Sequence, residues 1–181
     1  MRRTALSLVL AVALLGAMAV PALAANPTVS ITVKAGVVSI TNSVETWEIG
    51  IVETGGAAKK WGDSDTNSTL TNTGTVNVDV KIIGTDLVHA GNATLNWVLA
   101  SDGLAGDQIY GLNATITDGD GYTIIVKKTG DTPVNLVAGL PHTALNTETW
   151  SMRFAIPTAF DASDDGLEKS GSVTLVASKA A

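Results

Sequence analysis

Asp161, Asp164, Asp165 and Glu168 crowd four carboxylates into residues 161–168, with Gly166 available to bend the chain. Clustered carboxylates repel one another unless a cation neutralises them, and oxygen ligands on a pliable loop suit a hard cation such as calcium. The competing assignment is solvated loop charge, with Lys169 beside it as the neutralising partner. Asp118 and Asp120, alternating with Gly119 and Gly121, form a second calcium candidate, although hairpin turns select Asp and Gly for backbone reasons alone. No cofactor other than calcium is implied.

Catalytic constellations are missing. His89 and His142 are the only histidines, and neither has a second ligand-type residue at helical or hairpin spacing. There is no Gly-x-Ser-x-Gly elbow and no cysteine nucleophile. Paired carboxylates can run glycoside hydrolysis, but among so many acidic loop residues no pair stands out. The expectation is a protein that is not an enzyme. Trp47, Trp97 and Trp150 fall in phase with aliphatic neighbours, which assigns them to the core. Trp61 follows Lys59-Lys60 in a polar loop, so it is the candidate for an exposed contact, with burial beneath that loop as the alternative.

The elements that carry these residues read as strands. Of the 157 residues from Ala25 onward, 49 are Thr, Val or Ile, whose branched side chains suit a pleated surface. Val29, Ile31 and Val33 alternate with polar residues, and the run from Val37 to Ile40 continues in extended style. Trp47, Ile49 and Ile51 alternate next, followed by a loop rich in Gly and Lys. The clearest strand sets Val76, Val78, Val80 and Ile82 against Asn77, Asp79 and Lys81, and Thr71-Asn72-Thr73-Gly74 before it reads as a hairpin. Further strands are centred on Trp97, on residues 108–116 and 122–127, on 133–137, on Trp150 to Phe154 and on Leu175. With no amphipathic helix, the expected fold is all-β, an antiparallel β-sandwich of Ig-like or jelly-roll-like type with 9–10 strands.

Residues 1–24 read as a signal peptide. Arg2 and Arg3 begin it, residues 6–20 form an apolar run too short for a comfortable bilayer span, and Ala22-Leu23-Ala24 is a small-residue cleavage site. The expectation is a secreted protein, extracellular or at the cell surface, with residues 25–181 as one domain and no membrane span after cleavage. Loss of Arg2 and Arg3 lowers Lys plus Arg from 11 to 9 against 17 Asp plus Glu, a net charge of −8, which repels nucleic acid and anionic lipid. Without cysteine, an exported chain must rely on packing, metal or assembly for its stability.

Two stretches, Gly36-Val37-Val38-Ser39-Ile40 and Leu70-Thr71-Asn72-Thr73-Gly74 leading into Val76, resemble elements of exported prokaryotic β-sandwich surface proteins, the TasA and camelysin filament group in particular. The resemblance covers residues 36–80. It implies a jelly-roll-like structural protein of a cell surface, extracellular matrix or biofilm, whose subunits self-associate into a homopolymer when the N-terminal strand of one completes the sheet of the next. Here the donor would be residues 26–34, with Val29, Ile31 and Val33 as its alternating side chains. Main-chain pairing at an exposed sheet edge permits this, and head-to-tail contacts that do not close generate filaments. The alternative is a secreted module that binds polysaccharide or another ligand, with calcium held at Asp161 to Glu168.

Overall fold

The structure, a computed structural model, describes residues 32–61, 67–116 and 121–181. The chain divides into two units, Met1–Lys34 and Ala35–Ala181. Residues 1–24, expected to be a signal peptide, together with Val29, Ile31, Asp118 and Asp120, lie outside the described residues. In the first unit, residues 32–34 form no strand, and Val33 is 86% exposed.

The second unit is all-β. Its strands are β1 (Ile40–Asn42), β2 (Lys59–Lys60), β3 (Ser68–Asn72), β4 (Val78–Gly84), β5 (Leu87–His89), β6 (Asn92–Leu99), β7 (Ile109–Thr115), β8 (Ile124–Ile125), β9 (Val134–Leu140), β10 (Thr147–Ala155) and β11 (Val173–Lys179). A short 3-10 turn at Ala162–Asp164 is the sole helical element among the described residues. Eight strands form a sheet ordered β1-β3-β10-β7-β6-β5, with β2 also on β10 and β8 also on β7, while β11-β4-β9 make a second sheet.

The period-two pattern is realised where strands have partners on both sides. In β4, Val78, Val80 and Ile82 are fully buried while Asp79, Lys81 and Ile83 are half-buried on the other face. In β10, Trp150, Met152 and Phe154 point inward. Side chains from both sheets join one hydrophobic cluster, including Leu70, Leu112 and Phe154 from the larger sheet and Val80, Ile82 and Leu136 from the smaller.

Four expectations are corrected. The larger sheet is mixed, not antiparallel throughout, because β6 and β7 run parallel, with Val98 opposite Ile109 and Leu99 opposite Tyr110. β3 and β4 do not form a hairpin; they belong to different sheets. The buried Asn72 side chain makes that crossover by donating to Val76 O at 2.9 Å and Leu140 O at 3.0 Å and accepting from Gly74 N at 2.9 Å. Gly74 is required there, since a Cβ would sit 2.3 Å from Val37 O. Trp47, Ile49 and Ile51 form no strand: Gly50, at φ +75°, turns the chain, leaving Trp47 and Ile49 packed on the core and Ile51 95% exposed. The early extended run becomes a strand only at β1, although Thr75 N donates to Val37 O and Thr73 N to Ser39 O.

Candidate functional site

The acidic loop between β10 and β11 does not gather its carboxylates. Asp161 caps the 3-10 turn, its Oδ1 accepting from Ser163 N at 2.9 Å and Ser163 Oγ at 2.8 Å. Those two bonds, backbone first, hold its carboxyl below the ordinary aspartate value. Asp164 turns inward. Its Oδ1 pairs with Lys169 Nζ at 2.9 Å and its Oδ2 accepts from Trp97 Nε1 at 2.9 Å. Lys169 Nζ also donates to Leu95 O at 2.6 Å and stands 5.5 Å from the centre of the Trp97 ring, and that ring stacks on Phe160 at 4.7 Å. Asp165 and Glu168 are exposed, and it is the backbone carbonyl of Glu168, not its carboxylate, that accepts from His89 Nδ1.

The expected calcium ligands Asp161, Asp164, Asp165 and Glu168 are therefore not brought together as one set of oxygens. Among the described residues no three acidic or histidine side chains are placed to share a metal. The physical reason is the neighbour noted in the sequence: Lys169 neutralises Asp164 inside the protein, so that the carboxylate is unavailable to a cation.

Trp61 is likewise not an exposed contact. It is 7% exposed, stacked on Trp47 at 5.9 Å and set edge-on to Trp150 at 5.0 Å. Pairing of Lys59 and Lys60 with Phe154 and Arg153 on β10, and a bond from Trp61 N to Met152 O at 2.7 Å, draw the loop down over the core. Trp97 and Trp150 are buried as expected, and Trp47 is half-buried. Trp61, Trp97 and Trp150 are too deeply buried to stack a sugar ring.

The feature best suited to binding another chain is a sheet edge that sequence reading passed over. Edge strands need guarding, and among the described residues β11 is the exception; β2 and β8, each paired on one side only, are two residues long. β1 and β5 are three residues long, and β9 is irregular, with register shifts against β4 and Gly139 at φ +66°. β11 is seven residues long and pairs with β4 in unbroken register from Val173–Gly84 to Lys179–Val78. The bonds Thr85 N to Ser172 O and Ala180 N to Asn77 O show that its even-numbered residues face β4. The main-chain groups of Val173, Leu175, Ala177 and Lys179 thus point away, and among the described residues no strand pairs with that side. Val173, Leu175 and Ala177 pack against the core yet stay half-exposed, so the apolar layer is incompletely covered where the sheet stops. The signal was available as an uninterrupted run, Val173 to Ser178, with no Pro, Gly or charge to blunt it.

No family model matches the chain, and no curated protein matches it.

Proposed function

We propose that this is an exported structural protein of a cell surface or extracellular matrix, and that it self-associates by adding a strand from a second copy to the open edge of β11. The observation that carries this reading is that edge: regular, seven residues long, lacking guard residues except Lys179 at its end, and lying above a half-covered apolar layer. Main-chain hydrogen bonds would give such a contact its affinity, and alternate side chains its register. Residues 26–34 are the donor of choice, since Val29, Ile31 and Val33 repeat the spacing of Val173, Leu175 and Ala177. The two sheets sharing one cluster are then the faces of a sandwich, in keeping with the likeness to the TasA and camelysin group. Export rests on the pattern of residues 1–24.

Glycan binding has less support, because the tryptophans pack inward.

Electron microscopy and sedimentation of the protein truncated before Ala25 provide the test. Filaments or concentration-dependent oligomers are expected, and a protein that stays monomeric when concentrated refutes the proposal. Ala177→Pro removes an outward-facing N–H and no bond to β4. It should abolish assembly with the β-sheet circular dichroism intact, as should deletion of residues 26–34. Assembly that survives the deletion but not Ala177→Pro would leave β11 as the edge and dismiss that donor.

A further inference from the structure

We propose that Lys169 and Asp164 form a self-modification site, condensing into an intramolecular amide that staples the loop between β10 and β11. Both side chains are withdrawn from solvent, at 3% and 1% exposure, with Nζ 2.9 Å from Oδ1. That hydrogen bond holds the amine against the carboxyl group whose Cγ it attacks, so the two reacting groups are already brought together. Burial acts twice. Each ion carries a desolvation penalty that mutual attraction offsets only in part, and exclusion of water favours the condensed product while protecting it from hydrolysis.

The polar partners already in place are those the product needs. Trp97 Nε1–H donates to Oδ2 at 2.9 Å, where negative charge develops during attack on the carboxyl carbon. Leu95 O accepts from Nζ at 2.6 Å and orients the amine. A proton passes from the ammonium to Oδ1 across their hydrogen bond, leaving a neutral amine and a neutral acid. Nζ then attacks Cγ; the Nζ–Cγ bond forms, the Cγ–Oδ1 bond breaks, and Oδ1 departs as water with two of the three ammonium protons. The third proton stays on the amide nitrogen and keeps its bond to Leu95 O, while Oδ2 remains as the amide carbonyl and keeps its bond to Trp97. No outside acid, oxidant or co-reactant enters the balance. Two buried charges disappear and no hydrogen-bond partner is orphaned. In a chain without cysteine this supplies a covalent lock of a different chemistry.

Mass spectrometry of the folded full chain tests it, whatever its N-terminus. Expected are an intact mass short by one water, no tryptic cleavage after Lys169 in the denatured digest, and a peptide spanning residues 154–179 that carries the deficit. Lys169→Arg keeps the cation but not a nucleophilic amine, so its mass should be complete and its cleavage at that position restored. A complete mass with normal cleavage after Lys169, in protein shown to be folded by circular dichroism, overturns the proposal. So does a deficit that persists in Lys169→Arg or is reversed by hydroxylamine, which marks a succinimide at Asp165-Gly166 instead.

Discussion

Replacing Trp61 by alanine deletes the ring that joins Trp47 to Trp150, and with it the anchor of the loop before β3. Truncating a buried tryptophan to alanine costs about 3–5 kcal/mol, which includes the cavity left behind. Both ring contacts are lost together, which places Trp61→Ala in the upper half of that range, at about 4 kcal/mol. Against a typical total of about 5–15 kcal/mol, that is a large share. For a domain of this size each kcal/mol shifts the melting midpoint by roughly 2–4 °C, so a fall of about 8–16 °C is expected. Thermal unfolding followed by far-ultraviolet circular dichroism measures it, with Trp61→Phe as a milder control that keeps an aromatic ring. Acrylamide quenching adds an independent readout: the native protein should be poorly quenched, and Trp61→Ala should expose Trp47. A Trp61→Ala midpoint within about 2 °C of the parent, with unchanged quenching, would refute the placement of Trp61 in the core.

Asn72→Ala removes two donors to buried or half-buried carbonyls and one acceptor from Gly74 N; at about 1 kcal/mol for each bond the loss is about 3 kcal/mol, read as a lower urea midpoint. Tyr110 bears on alkaline stability: burial first, and the nearby Asp86 carboxylate second, push its hydroxyl well above the ordinary tyrosine value, and that hydroxyl donates to Thr85 O. Folded Tyr110 keeps its proton while the unfolded side chain loses it near pH 10, so its stabilising contribution is complete below about pH 10 and falls above that by about 1.4 kcal/mol per pH unit. Tyr110→Phe should flatten this part of the stability–pH curve, and identical alkaline slopes would contradict the assignment. Because Asp164 is committed to Lys169 and Trp97, adding millimolar calcium should leave the melting midpoint unchanged; a clear rise would show that the acidic loop rearranges to bind the ion.

What the sequence by itself determined is which residues look inward on a strand. The alternation of Val78, Val80 and Ile82, and of Trp150, Met152 and Phe154, announced β4 and β10, because side-chain direction in a strand is a local property with period two. Pairing is not local. Trp47, Ile49 and Ile51 carry the same alternation but meet no partner strand, and Gly50 turns them out of line. Asn72 and Gly74 have the composition of a hairpin, yet the carbonyl that Asn72 satisfies belongs to Leu140, on another strand, and so the chain crosses between sheets. The parallel register of β6 and β7 leaves no mark in composition either. The candidate sites divide in the same way. The acidic character of residues 161–168 was plain from the sequence, but only folding brings Trp97 and Leu95 against Asp164 and Lys169, turning one carboxylate of four into a buried partner. Trp61 sits in a polar stretch and is buried because β2 pairs with β10. Hydrophobic pattern reports what a residue prefers, whereas burial and edge exposure depend on which distant strands arrive beside it, a choice made by the whole chain at once.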